Sequence, residues 1–133
     1  MDDFRFLCDP ACLAQARRWL AARLGEALGD HPGSAAVIDD AVVITSELVT
    51  NAVQAECARG ALSWQLAGDQ LLVLVGDDAP GWPKLRQPGP TEVHGRGLHI
   101  VRALATGMGA RSVQGGKQVW ATLALPAVAA QVD

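Results

Sequence analysis

The stretch "TSELVTNAVQ", residues 45–54, sets a carboxylate and a carboxamide four residues apart, at Glu47 and Asn51. On a helix that spacing puts both on one face, extended by Asp40, Ile44 and Gln54, while Val49 points nearly the opposite way. A carboxylate and an amide oxygen can organise a hard cation such as magnesium, which keeps several waters and takes the rest of its shell from nucleotide phosphates. Without a nucleotide beside it, the same pair is the solvated edge of an amphipathic helix.

Two further stretches can supply the nucleotide site. In "GDDAPGW", Asp77 directly follows the apolar run "LLVLV". At such a strand end its carboxylate can accept a hydrogen bond from an exocyclic amine such as that of adenine. Gly81, with Pro80 before it, lets backbone approach a flat ring; by itself this sequence is also an ordinary turn. In "HGRGLHIV", Gly95 and Gly97 flank Arg96 and lead into an amphipathic helix. Free N–H groups and the positive end of the helix dipole would then face phosphates. The phosphate loop ending in Gly-Lys-Ser/Thr is missing, because Gly116 and Lys117 are followed by Gln118.

The elements that must position these residues alternate along the chain. A short edge strand, "FRFL", precedes Asp9 and Pro10, which suit a helix N-cap and first turn. The helix that follows turns Leu13, Ala16, Leu20, Ala21 and Leu24 inward. A second helix is expected over residues 34–58, with Ile38, Ala41, Val42, Thr45, Val49, Ala52 and Val53 as its core stripe and Gly60 ending it. Two strands, "ALSWQL" and "QLLVLV", join through "AGD", and the second is apolar enough to be covered on both faces. Residues 77–95 hold four of the seven prolines and read as a long loop, with 83–93 as a lid that phosphate contacts would order. A third helix over 98–106, with Leu98, Val101, Leu104 and Ala105 inward, precedes two closing strands, "ARSVQ" and "KQVWATLAL". The expectation is one domain over residues 1–133, an α/β sandwich whose mostly antiparallel mixed sheet is covered on one face by helices.

Composition limits the rest. The chain is 50% hydrophobic and 19% charged, with a formal net charge of -3, so it has no general attraction to nucleic acid phosphates. It shows neither a secretion signal nor an 18-residue apolar run, which reads as a cytoplasmic protein away from membranes. Cys8, Cys12 and Cys57 are then expected as three free, mostly buried thiols. A zinc site at Cys8, Cys12 and His31 lacks a second ligand pair. A hydrolase triad from Ser46, His94 or His99 and an aspartate lacks the Gly-x-Ser-x-Gly turn. Trp64, Trp82 and Trp120 suit packing better than base stacking, since no basic groove accompanies them.

Taken in order, the stretches resemble the Bergerat-type ATP-binding fold shared by histidine kinases, DNA gyrase and heat-shock chaperones. "ELVTNAV" is similar to its asparagine box, "DDAPG" to its first glycine box, "GRGLHIV" to its second and "GGKQVWATL" to its closing strand. The resemblance covers residues 10–125. Within that superfamily the wording is most similar to bacterial anti-sigma factor serine/threonine kinases. It implies ATP and magnesium as cofactors, with Glu47 as the general base for a protein-substrate hydroxyl and Asn51 as the magnesium ligand. Asp77 would read the adenine amino group, Gly81 would border the base, and Gly95, Arg96, Gly97 and Leu98 would cradle the phosphates. It also implies a homodimer, and a sigma factor and an anti-anti-sigma factor as partners. The chain departs from the pattern at Ala79, where a glycine is expected, at Gln54 and Ala55, which replace an arginine and a histidine, and at Lys117, where many relatives have a threonine. Two functions follow: an ATP-dependent kinase that phosphorylates an antagonist and sequesters a sigma factor, or a nucleotide-binding interaction module that transfers nothing.

Overall fold

The structure, a computed structural model, describes residues 2–79 and 93–126, with 93–98 as backbone alone. Strand β1 (Asp2–Leu7) is followed by helices α1 (Cys12–Leu28) and α2 (Ser34–Gln54), then by strands β2 (Arg59–Ala67) and β3 (Gln70–Asp77). Helix α3 (Val93–Leu104) leads to β4 (Gly107–Val113) and β5 (Gly116–Ala124). The five strands form one sheet in the order β1-β2-β3-β5-β4. Every described pair is antiparallel. The expected fold class is the observed one: a sheet of antiparallel strands packed with helices.

Local chemistry explains the elements. Asp9 Oδ1 accepts hydrogen bonds from the N–H groups of Ala11 and Cys12, at 2.9 and 3.1 Å, and so holds the start of α1. The β2–β3 and β4–β5 hairpins turn at Gly68 and Gly115, whose φ angles of 61° and 84° suit glycine. Alternation does the rest. Leu71, Val73 and Val75 of β3 stand opposite Leu123, Ala121 and Val119 of β5, and all six are buried. Onto that face α1 brings Leu20 and Leu24, and α2 brings Ala41, Ile44, Leu48, Val49 and Ala52.

Three expectations change. Ile44, read as part of the polar face of α2, is fully buried, whereas Ile38, Val42 and Val53 are only half-buried. Helix α2 stops at Gln54 rather than near residue 58, because Glu56 takes a left-handed φ of 64° and Cys57 folds its N–H back to the Ala52 carbonyl. On the far face of β3, Leu72 and Leu74 are only half-buried, so this strand is not fully covered on both faces. Their cover comes from cross-strand neighbours, Leu74 lying opposite Trp120 and Ser63. Trp120 in turn lies over Gly109, where a Cβ would collide with the indole.

The cysteines are not three free thiols. Cys8 and Cys57 form a disulfide across a sequence separation of 49, beside a hydrogen bond of 3.0 Å from Cys8 N–H to the Ala58 carbonyl. The bond fastens the end of β1 to the turn after α2. The reading as thiols assumed a reducing compartment, and spacing could not reveal that the fold brings these two residues together. Cys12 stays free and buried, and burial followed by the nearby Asp9 carboxylate raises its pKa. Closing a loop of that length is worth about 2–4 kcal/mol. Cys57→Ser, or full reduction of the native chain, should therefore lower the thermal midpoint by several degrees; equal midpoints with and without a dithiol reductant would show that the bond contributes nothing. No helix among the described residues is long and apolar enough to cross a membrane.

Candidate nucleotide site

Glu47 and Asn51 lie one turn apart on α2, both half-buried. They flank the core stripe rather than the open solvent side. Ile44 and Leu48, three residues before and one after Glu47, are 0% and 2% exposed. Helix α2 packs on β3, on β5 and on α3. One helix thus carries the acid and the amide, touches the strand that ends at Asp77, and touches the helix whose first turns hold the residue 95–98 backbone.

Asp77 sits at the end of β3 with its side chain 2% exposed. Its Oδ1 accepts from the Ala79 N–H at 2.8 Å and from Lys117 Nζ at 2.8 Å. Lys117 is itself 9% exposed at the side chain and stands directly opposite Asp77 on β5. The close approach depends on Gly116, where a Cβ would collide with the Asp77 carbonyl. Two buried charges are therefore paired, as burial requires. In the family pattern Lys117 stands out as a departure from threonine. It also shares strand parity with buried Val119, Ala121 and Leu123, and a cation on a core face needs a partner.

The neighbouring acid has a different task. Asp78 Oδ1 accepts from the N–H groups of Ala58 and Arg59 at 2.8 and 3.1 Å, and the Asp78 N–H returns a bond to the Arg59 carbonyl. These backbone bonds, first from Arg59 and then from Ala58, hold its carboxyl below the usual value of 3.8. Asp78 thus locks the β2 entry to the β3 exit, next to the disulfide, and steadies the strand end that carries Asp77. An open groove of about 480 Å³ runs along this end of the sheet, lined by Arg5, Arg59, Gly60, Gly76, Asp77 and Asp78. Neither Glu47 nor Asn51 lines it.

The glycine-box residues divide. Ala79, which replaces a glycine, is 1% exposed and is not among the residues with positive φ, so an alanine fits there without backbone strain. Gly81 and the lid segment 83–93 lie outside the described side chains. Gly95, Arg96, Gly97 and Leu98 fall within α3, which begins at Val93 instead of at residue 98. The glycines are therefore part of the helix's opening turns and not a loop before it. Farther along, Val101 is buried while Leu104 and Ala105 pack against the core, as the periodicity predicted.

These residues fit a nucleotide with magnesium. Asp77 supplies a buried acceptor for an amine. Among the described residues no three His, Cys, Asp or Glu side chains gather as a metal cage. A magnesium ion held mainly by phosphates and water needs none, only an oxygen such as that of Asn51. A family model described as histidine kinase-like ATPase domain matches residues 6–123. Solved structures share the fold, two histidine kinase structures among them. The histidine kinase domain from the Erythrobacter litoralis EL346 blue-light activated histidine kinase is 20% identical with a TM-score of 0.53, covering 85% of this chain and 61% of that one. A second structure of the Erythrobacter litoralis EL346 blue-light activated histidine kinase is 22% identical with a TM-score of 0.50, covering 85% and 42%. This chain spans less than two thirds of either. No curated protein matches it.

Proposed function

The chain belongs to the histidine kinase-like ATPase domain family, and from that premise we propose that it is an anti-sigma factor serine/threonine kinase, which phosphorylates an antagonist protein and sequesters a sigma factor. Bound ATP supplies the γ-phosphoryl group, and magnesium offsets the charge on it. Asn51 offers its amide oxygen to the magnesium. Glu47 orients the substrate hydroxyl and takes its proton as that oxygen bonds the γ-phosphorus, while the bond from the γ-phosphorus to the bridging oxygen breaks and ADP leaves with that electron pair. Asp77 accepts from the adenine amino group, Gly81 borders the base, and the 95–98 backbone, with Arg96, meets the phosphates at the start of α3. Sigma factor, anti-anti-sigma factor and a second copy of the chain are its protein partners, without nucleic acid or membrane.

One arrangement supports this reading above the others: α2 bears Glu47 and Asn51 on its half-buried edge while packing on both β3 and α3. An ornamental polar edge has no need of that position. Asn51→Ala tests it. Calorimetry with magnesium present should show ATP affinity reduced roughly tenfold or more, the effect of losing an interaction of about 1.4 kcal/mol. With EDTA the variant and the native chain should agree. Equal affinities under both conditions would remove Asn51 from the site.

The second reading, a nucleotide-binding module that transfers nothing, draws support from Ala79, which stands where the first glycine box is expected to carry a glycine. Transfer of radiolabel from ATP to a serine- or threonine-bearing antagonist separates the two.

A further inference from the structure

We propose that Lys117 is a specificity-determining residue of the base pocket, which joins Asp77 in reading the adenine edge as one acceptor–donor unit. The inference rests on the ATP-binding reading and adds a residue to it. Asp77 and Lys117 face each other across β3 and β5 on the same side as the buried Val75 and Val119, with Nζ 2.8 Å from Oδ1. An ammonium carries three N–H donors, and the bond to Oδ1 uses one. A carboxylate beside an ammonium therefore presents an acceptor next to a donor. A carboxamide presents the same pair when it takes the amino group of adenine and an adjacent ring nitrogen.

With its 6-amino group on Asp77, adenine turns N1, an acceptor, toward Lys117. A threonine at residue 117 would offer a neutral hydroxyl on a shorter side chain in place of the ammonium. Guanine in the same seat sets O6 against the carboxylate and N1–H against the ammonium. Both contacts are mismatched, and sites that leave buried polar groups unpaired reject a ligand strongly. The pair is held in place by the strand register and by Gly116, so the unit is formed before any base arrives.

The test is calorimetric titration of the full chain with ATP, 1-deaza-ATP and GTP. In 1-deaza-ATP the amino group is kept and N1 becomes C–H. The native chain should bind 1-deaza-ATP about ten- to a hundredfold more weakly than ATP, the usual worth of a hydrogen bond to a charged group. GTP should also bind more weakly than ATP. Lys117→Met should bind ATP and 1-deaza-ATP alike. Equal binding of ATP and 1-deaza-ATP by the native chain overturns the proposal and leaves ATP binding standing. Tighter ATP binding by Lys117→Met also overturns it, since the lysine would then be competing with the base for Asp77. Absence of any ATP binding overturns both readings together. The native-chain arms need no substitution, so they decide the question even where Lys117→Met unfolds.

Discussion

Asp77→Asn should destabilise the fold by about 3–5 kcal/mol, because it leaves the Lys117 ammonium buried without its counter-charge. That is a large share of the roughly 5–15 kcal/mol that holds a domain together. The reason is burial on both sides, 2% exposure at the Asp77 side chain and 9% at Lys117. Surface pairs such as Arg5–Asp3, at 86% and 42%, are worth little by comparison. Lys117→Met alone should cost a similar amount by stranding the carboxylate. The double variant, Asp77→Asn with Lys117→Met, should recover most of the loss. Asparagine keeps an oxygen for the Ala79 N–H, and methionine fills the lysine's volume without charge. Urea unfolding of all four chains closes the cycle, with the midpoint moving and the slope unchanged. A single-variant cost below about 0.5 kcal/mol, the level of an ordinary surface change, would show that the pair does not hold this end of the sheet.

The same pair sets a condition on binding experiments. A drop in ATP affinity in Asp77→Asn mixes two effects, loss of an acceptor for adenine and loosening of the β3–β5 register beside it. Titrating both variants with 1-deaza-ATP, which offers Lys117 no N1, separates them, since both loosen the register but only Asp77→Asn removes the carboxylate proposed to accept from the amine.

How much of this was legible depends on whether the signal is local. Alternation in "QLLVLVGD" and "KQVWATLAL" gave both central strands and their inward residues, because a period of two is written in each strand by itself. The motif residues could be ordered along the chain for the same reason. Which strands pair is not local: that Asp77 meets Lys117 depends on β5 entering the sheet beside β3, forty residues away in sequence. The Cys8–Cys57 bond is likewise a product of β1 pairing with β2, which brings Leu7 opposite Arg59. The end of α2 is hidden in the sequence for a different reason. A helix is ordinarily stopped by glycine, and here Glu56 adopts the left-handed conformation instead, at a cost of about 1–2 kcal/mol. The disulfide and the Asp78 bonds to Ala58 and Arg59 surround that turn and hold it. Angle alone puts Ile44 on the polar face. A helix lodged among β3, β5 and α3 buries a wider arc than one stripe, which is also why Glu47 and Asn51 are half-buried.

That half-burial shapes the second large effect, at Glu47. If Glu47 acts as general base, Glu47→Ala should leave ATP affinity nearly unchanged while lowering phosphate transfer by about a hundred- to ten-thousandfold, the usual contribution of positioned proton transfer. The carboxylate lies one turn from Asn51 rather than on the Asp77 strand, so losing it removes no contact to the base and leaves the amide in place. Glu47→Gln sharpens the comparison. It keeps the shape and the hydrogen-bonding oxygen but cannot accept the proton, so it should be as slow as alanine if the role is basic, and close to the native chain if the role is only to fill space. Stability controls are needed because the site borders Ile44 and Leu48, but a half-buried edge residue should cost about 1 kcal/mol or less, far below the kinetic effect. The measurement is single-turnover transfer of radiolabel from ATP to a serine-bearing antagonist, with affinity from calorimetry on the same preparations. A native chain that binds ATP yet labels no antagonist, with Glu47→Ala indistinguishable from it, would leave the binding module as the function and Glu47 as part of the helix edge.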